Sequence, residues 1–365
     1  MLKITTGQLS RFAFVYIISE PFAFFIGHLL KMSAYQGWMS LIGGYLLSLI
    51  LLYFTVKLGS IEPGVSWTEF GTKIMGKWLH SCVLILVVLL CIYLISIDIE
   101  NFSIFFGTMY MGKTPIQVII ILTTICIALT ARSGVTTIVY MAEGIFLLIV
   151  GSSLITVPSM FGGSHYDMLT TLRTHHDLKK AAVDSLSTLS WFSEWFLLIF
   201  LAPQAIFGRK TLRSLMIYGF LVIVMVMTFW LLCLLNFGPY LGGDLRYPVL
   251  EVIRLARYGG FLDNLDPFLI AFWSTTMFIR SSFLLYVASI CLARVAKLQD
   301  YRSTSFILGI TAATFAIQYS YKTDVYEKAT YSYELSVFLV LVECIPILYV
   351  FIYRIRFGKI KKPET

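Results

Sequence analysis

Two short stretches carry chemistry in this chain of 365 residues: Ile17-Ile18-Ser19-Glu20-Pro21-Phe22 and Trp191-Phe192-Ser193-Glu194-Trp195-Phe196. Both read Ser-Glu-X-Phe, and both place a carboxylate inside an apolar run. An ionised acid in such surroundings is costly unless a partner, a proton or a water-filled cavity compensates it. Pro21 removes a backbone donor and crowds the preceding turn, so the first run is expected to break or kink near Ser19. Backbone groups freed at membrane depth are tolerated only inside protein or beside a water-filled pathway. Ser19, Glu20, Pro21 and Phe22, with Ser193 and Glu194, are therefore candidate ligand-binding residues. Trp191, Trp195 and the mid-span Tyr93 are candidate apolar walls, since small-molecule pockets are mostly apolar with a few placed polar groups.

A second set of charges belongs to the same question. Arg280 lies near the middle of another apolar run and is followed by Ser281 and Ser282. An arginine does not shed its proton, so at that depth it needs acids or carbonyl oxygens as partners. Glu20, Glu194 and Glu143 are the available acids. A structural ion pair that locks the bundle and a functional charge in the ligand site are both consistent with Arg280. Glu143 itself reads either as part of a proton or ion route or as a side chain snorkelling to the surface. Asp98 and Glu100 are expected at the solvated end of a long helix, and Glu343 is one more acid in an apolar run. His165, His175 and His176 lack metal-ligand spacing, and the six cysteines contain no CxxC pair. With no Ser/His/Asp order, metal motif or phosphate loop, neither an enzyme nor a cofactor is expected.

The elements that hold these residues must be membrane helices. Hydrophobic residues make up 58% of the chain and charged ones only 13%, which excludes an ordinary soluble domain. A span needs roughly 20 apolar residues. Ten such stretches are expected, at about 8–30, 37–57, 82–106, 114–131, 136–157, 185–207, 213–237, 267–293, 304–321 and 334–353. The first run is long and lacks a small-residue cleavage site, so it reads as a span and not as a signal peptide. Gly43-Gly44 is expected to admit a close neighbour, taken to be the first span. Trp67, Phe70, Ile74 and Trp78 read as one face of a short helix on the membrane surface. The connection 238–266 contains an amphipathic piece, expected to cover an outer mouth. A cytoplasmic N-terminus puts seventeen Lys and Arg inside and ten outside, so both termini are expected in the cytoplasm. The net charge of +8 thus reflects loops and a basic tail at 354–365 that anchors on lipid head groups, not nucleic-acid binding.

Spans 1 and 6 are five apart, an odd number, so the second half must be inverted relative to the first. One transmembrane domain over 1–365 is expected, with repeats at about 8–157 and 185–353 and helices 1 and 6 broken. Lys113-Thr114-Pro115-Ile116-Gln117-Val118-Ile119-Ile120, Arg246-Tyr247-Pro248, Gly260-Phe261-Leu262-Asp263-Asn264-Leu265-Asp266, Trp273, and Ser193-Glu194-Trp195 through Leu201-Ala202-Pro203 complete the pattern. On these motifs the chain resembles the spore germination proteins that form the B subunit of nutrient germinant receptors, in the amino acid-polyamine-organocation superfamily. The resemblance implies an all-α, ten-helix, LeuT-like fold in the inner membrane of a bacterial spore. It also implies a larger A subunit and a lipoprotein C subunit as partners. The implied role is binding a small nutrient, often an amino acid, and triggering germination; a proton-coupled amino acid permease is the alternative. Relatives usually carry glycines at the break in span 1, where Ser19-Glu20 stand here. Glu20 would repel a substrate carboxylate unless it is protonated or paired with Arg280.

Overall fold

A computed structural model of the chain describes residues 3–161, 166–174, 177–192, 194–255, 266–322, 325–326 and 330–358. Among these the regular structure is helical, apart from a single bridge between Ile4 and Ala205. Helix α1 (Thr6–Glu20) begins at a capping box, in which the Thr5 hydroxyl accepts from the Gln8 N–H at 3.3 Å and Gln8 accepts from the Thr5 N–H at 2.9 Å. The chain then passes through a π-helical turn, Pro21–Phe25, into α2 (Ile26–Ser33). Pro21 therefore widens the helix by a π turn instead of opening it into an extended segment. Its missing donor and its ring are accommodated by the longer hydrogen-bond spacing, and the flanking residues keep helical dihedrals.

Helix α3 (Gly37–Gly59) packs along α9 (Leu178–Phe192). Here Gly43 and Gly44 do admit a close neighbour, but the neighbour is α9 and not α1. A Cβ on Gly44 would lie 2.7 Å from Thr188 and 3.0 Å from the Leu189 backbone nitrogen. Helix α4 (Trp67–Met75) also differs from expectation. Trp67, Phe70 and Ile74 are buried, and Trp67 meets His80, Phe196, Phe200 and Tyr349 at ring distances of 5.0–5.6 Å. Its apolar face docks into the bundle, whereas Trp78 lies on α5 (Lys77–Met109) and is exposed.

Helices α6 (Ile116–Arg132) and α7 (Val135–Met160) follow. After the short α8 (Met168–Thr174) and α9, the sixth expected span changes helix type. Leu178–Phe192 is α-helical, and Glu194–Leu201 is wound as a 3-10 helix. Then come α10 (Arg209–Asp244), with a kink at Gly238-Pro239, and α11 (Pro248–Leu255). The amphipathic reading of α11 holds, with Val249, Val252 and Ile253 buried. The chain ends with α12 (Asp266–Val295), α13 (Arg302–Tyr321), α14 (Tyr333–Glu343) and α15 (Ile345–Phe357).

Each of the ten expected stretches overlaps helix, although the sixth leaves helix after Leu201. Among the described residues six helical stretches are long and apolar enough to cross a membrane, and Ile116–Arg132 is apolar but shorter. Leu46, Leu89, Leu147, Leu154, Ile307 and Leu341 point outward and are exposed, as helices facing hydrocarbon require. The protein is a multi-pass membrane protein. Inside the bundle, α1 contacts α7, α10 and α12, and α12 lies along α5. These contacts bring residues 20, 98, 194 and 280 to one place.

Candidate functional site

Arg280 projects from α12 into the middle of the bundle, where its side chain is 2% exposed. One guanidinium nitrogen, Nη1, donates to Asp98 Oδ1 on α5. The other, Nη2, donates to Glu194 Oε1 at 2.5 Å on the 3-10 segment and lies 3.0 Å from Glu20 Oε2, at the end of α1. Ser281 donates to the second oxygen of Asp98 at 2.9 Å, and Tyr16 of α1 donates to Glu194 Oε2. One cation thus ties four elements together. The planar fork of arginine makes this possible, because its donors point at several acceptors at once.

The two changes of helix type flank this cluster. Glu20 is the last α-helical residue before the π turn, and Glu194 is the first residue of the 3-10 segment. Beside them lies a small, partly open cavity of about 30 Å³. Glu20, Glu194, Tyr93 and Trp191 line it, together with Leu94 and Ile97 of α5. Ser190 of α9, Thr330, and Leu335, Ser336 and Leu339 of α14 form the remaining wall. Behind Trp191 the aromatic packing continues: Phe25 lies 5.0 Å from its ring, and Tyr331 stacks at 6.3 Å. Within the cluster, Glu20 and Glu194 are the groups that reach the cavity, with side chains 12% and 14% exposed, whereas Asp98 is closed off at 1%.

The candidate residues read from the sequence divide as follows. Glu20, Glu194, Tyr93 and Trp191 share the cavity, and Arg280 and Ser281 stand directly behind it. Ser19 turns back to its own helix, donating to the Tyr16 carbonyl at 2.8 Å. Pro21 shapes the turn. Trp195 is buried away from the cavity, its ring about 3.1 Å from where a Cβ on Gly219 would sit. Ser282 is buried with no hydrogen-bond partner. Ser193 and the Phe22 side chain lie outside the described residues, as do His165, His175 and His176. Glu143 does not reach Arg280; it pairs with Arg11 of α1 and accepts from Gln8 at 3.2 Å.

Asp98 and Glu100 correct the reading of a solvated helix end, since both are buried, at 1% and 0%. Helix α5 continues to Met109, so Asp98 stands about three turns inside it. Asp98 as the partner of Arg280, Tyr16 as the donor to Glu194, and the wall from Thr330 and α14 are what the sequence reading missed. Leu94 and Asp98 lie four residues apart, a helical spacing that could have flagged Asp98 as turned to the bundle interior on the same side as Leu94. Glu343, expected to be buried, is so at 3%. Its Oε2 accepts from the Phe196 N–H at 3.0 Å, which satisfies a backbone donor at the start of the 3-10 segment.

Comparison with solved structures gives the class. The structure of Mhp1, a nucleobase-cation-symport-1 family transporter in a closed conformation with bromovinylhydantoin bound, matches at a TM-score of 0.69. The identity is 14%, over 97% of this chain and 78% of that one. A Na+-coupled sialic acid symporter in a substrate-bound outward-open state matches at 0.65 and 12% identity, over 98% of this chain and 85% of that one. The fold is that of the LeuT-type transporters. Spore germination protein XB of Bacillus anthracis is 24% identical over 266 residues, 71% of this chain and 72% of that protein. The spore germination protein family model matches residues 3–324, and the chain belongs to that family.

Proposed function

We propose that this protein is the B-type subunit of a nutrient germinant receptor in the inner membrane of a bacterial spore. It binds a small polar nutrient in the cavity beside Glu20, Glu194, Tyr93 and Trp191, and it acts with A and C subunits. The observation that carries the reading is the position of the cavity against the Arg280 cluster. A ligand touching Glu20 and Glu194 also touches the junction of α1, α5, the 3-10 segment and α12. Any ligand that interacts differently with two arrangements of these elements shifts the balance between them, which is what a receptor requires. The family and the transporter fold both support a binding role.

The test is nutrient-triggered germination of spores that carry wild-type protein, Glu20→Gln or Glu194→Gln. Each variant is expected to insert and accumulate normally while its response to one nutrient falls. Wild-type germination in both variants at wild-type abundance would remove the pair from the site. The second reading is a proton-coupled amino acid permease, favoured by the likeness to symporters and by acids placed where two helices change type. Uptake of labelled substrate by the protein without its partners would establish it.

A further inference from the structure

We infer that the cavity seats its ligand through a cationic nitrogen held by Glu20 and Glu194, and that the ligand brings no free carboxylate to that end. The inference rests on reading this cavity as the ligand site. It follows from which atoms of the cluster a ligand can touch. Arg280 is fully engaged, with Nη1 on Asp98 and Nη2 on Glu194 and Glu20, and its side chain is 2% exposed. It is therefore not available to receive a carboxylate. The acids that line the cavity are Glu20 and Glu194, beside Ser190, Thr330 and Ser336. Glu20 meets Arg280 through Oε2 alone, and each Glu194 oxygen, bonded to Arg280 or Tyr16, has a second lone pair to offer.

The charge balance points the same way. The titratable groups around the two glutamates are Tyr16 on α1, Cys91, Tyr93 and Asp98 on α5, Arg280 on α12 and Glu343 on α14. Against Asp98, Glu20 and Glu194 this set supplies one cation. A buried surplus of negative charge is held only with a proton or a further cation. An ammonium group supplies that cation and donates charge-assisted hydrogen bonds to both glutamates.

A bare metal ion fits less well. Among the described residues no group of three or more His, Cys, Asp or Glu could hold one. The remaining lining is Leu94, Ile97, Leu335, Leu339 and the Trp191 ring, which suits the carbon skeleton of an organic amine and offers a cation–π face.

The experiment uses the full-length protein in detergent, with intrinsic tryptophan fluorescence and thermal melting as readouts. The probes are butylammonium, putrescine, butyrate, butanol and sodium chloride. The ammonium probes are expected to bind saturably and raise the melting temperature, with butyrate, butanol and sodium chloride silent at the same concentration. Glu20→Gln and Glu194→Gln are expected to weaken ammonium binding by about tenfold or more, the scale of one lost charge-assisted bond. In the wild-type protein, acidification is expected to weaken it as protons compete for the same carboxylates. Butyrate binding as strong as butylammonium, an equal shift from sodium chloride, wild-type affinity in both glutamine variants, or no ammonium binding would each overturn the inference. Ammonium binding in a protein whose glutamates are irrelevant to germination would sink the receptor reading and leave this one standing. Glutamate-dependent germination without ammonium binding would do the reverse.

Discussion

Truncating Arg280 to alanine would leave Asp98, Glu20 and Glu194 gathered with no cation among them. Breaking a buried ion pair by removing one partner costs about 3–5 kcal/mol, because the remaining charge is neither solvated nor paired. Arg280→Ala is therefore expected to melt well below wild type in detergent and to accumulate poorly. Arg280→Lys should fall between the two, since one ammonium cannot reproduce the fork that reaches Asp98 and Glu194 from different nitrogens. Glu20→Gln should lower the melting temperature less than Asp98→Asn, because Glu20 opens to the cavity and Asp98 is enclosed. An Arg280→Ala protein as stable as wild type would mean that the cluster is not what holds these elements together. Glu20, Glu194 and Arg280 were legible in the sequence because a charge inside an apolar run stands out whatever the fold. Asp98 was not, because a helix end is poorly marked when apolar residues continue past it. Ile99, Ile104, Phe105 and Phe106 prolong α5 beyond the point where the acids suggested water.

At the scale of elements, the two Ser-Glu sites are produced by different local physics. Pro21 generates a π turn, whereas the 3-10 winding of Glu194–Leu201 has no proline at its start and is held in part by the bond from the Phe196 N–H to Glu343. A disruption near Ser19 could be read from Pro21, but its form could not, since the choice between a π turn and an unwound loop depends on the packing around it. Pro21→Ala is expected to keep or raise the melting temperature, because alanine restores the donor and favours the α-helix. It should also impair the ligand response, because relaxing the turn moves the residues after Glu20 relative to the cavity. An unimpaired response in that variant would show that the π turn is incidental. The glycines give a second element-scale test. Gly44→Val must push a branched side chain into Thr188 and the α9 backbone, at a cost of about 1–3 kcal/mol. Gly144→Ala, on α7 with open space around it, should be neutral or stabilising by up to ~1 kcal/mol. Equal melting temperatures for the two variants would contradict the close α3–α9 contact. That Gly43-Gly44 would face a helix was readable from the residues, but which helix was not, because small residues advertise closeness without naming the neighbour.

For the whole molecule, the sign of the loops sets an orientation that the packing leaves open. The run of Arg354, Arg356, Lys359, Lys361 and Lys362, with Arg209, Lys210 and Arg213 and the turn carrying Arg294, Lys297 and Arg302, falls on one side if every expected span crosses. Lysine and arginine in short loops are retained on the cytoplasmic side, so that side should carry both termini. The connections after α5 and after α12 then face opposite sides, and each offers an exposed residue away from the cluster, Lys113 and Gln299. Introduced as Lys113→Cys and Gln299→Cys, they can be read with a membrane-impermeant maleimide. Lys113→Cys is expected to label in intact cells, and Gln299→Cys only after permeabilisation. The opposite pattern would invert the protein in the membrane. Labelling of both from outside would mean that an odd number of the intervening spans, 4 to 8, fails to cross, and a failure at span 4, 5 or 6 would also undo the inverted pairing of spans 1 and 6. Intact cells that label Lys113→Cys alone would fix the end of the bundle that carries Lys113 as the outer one, with both termini on the other side.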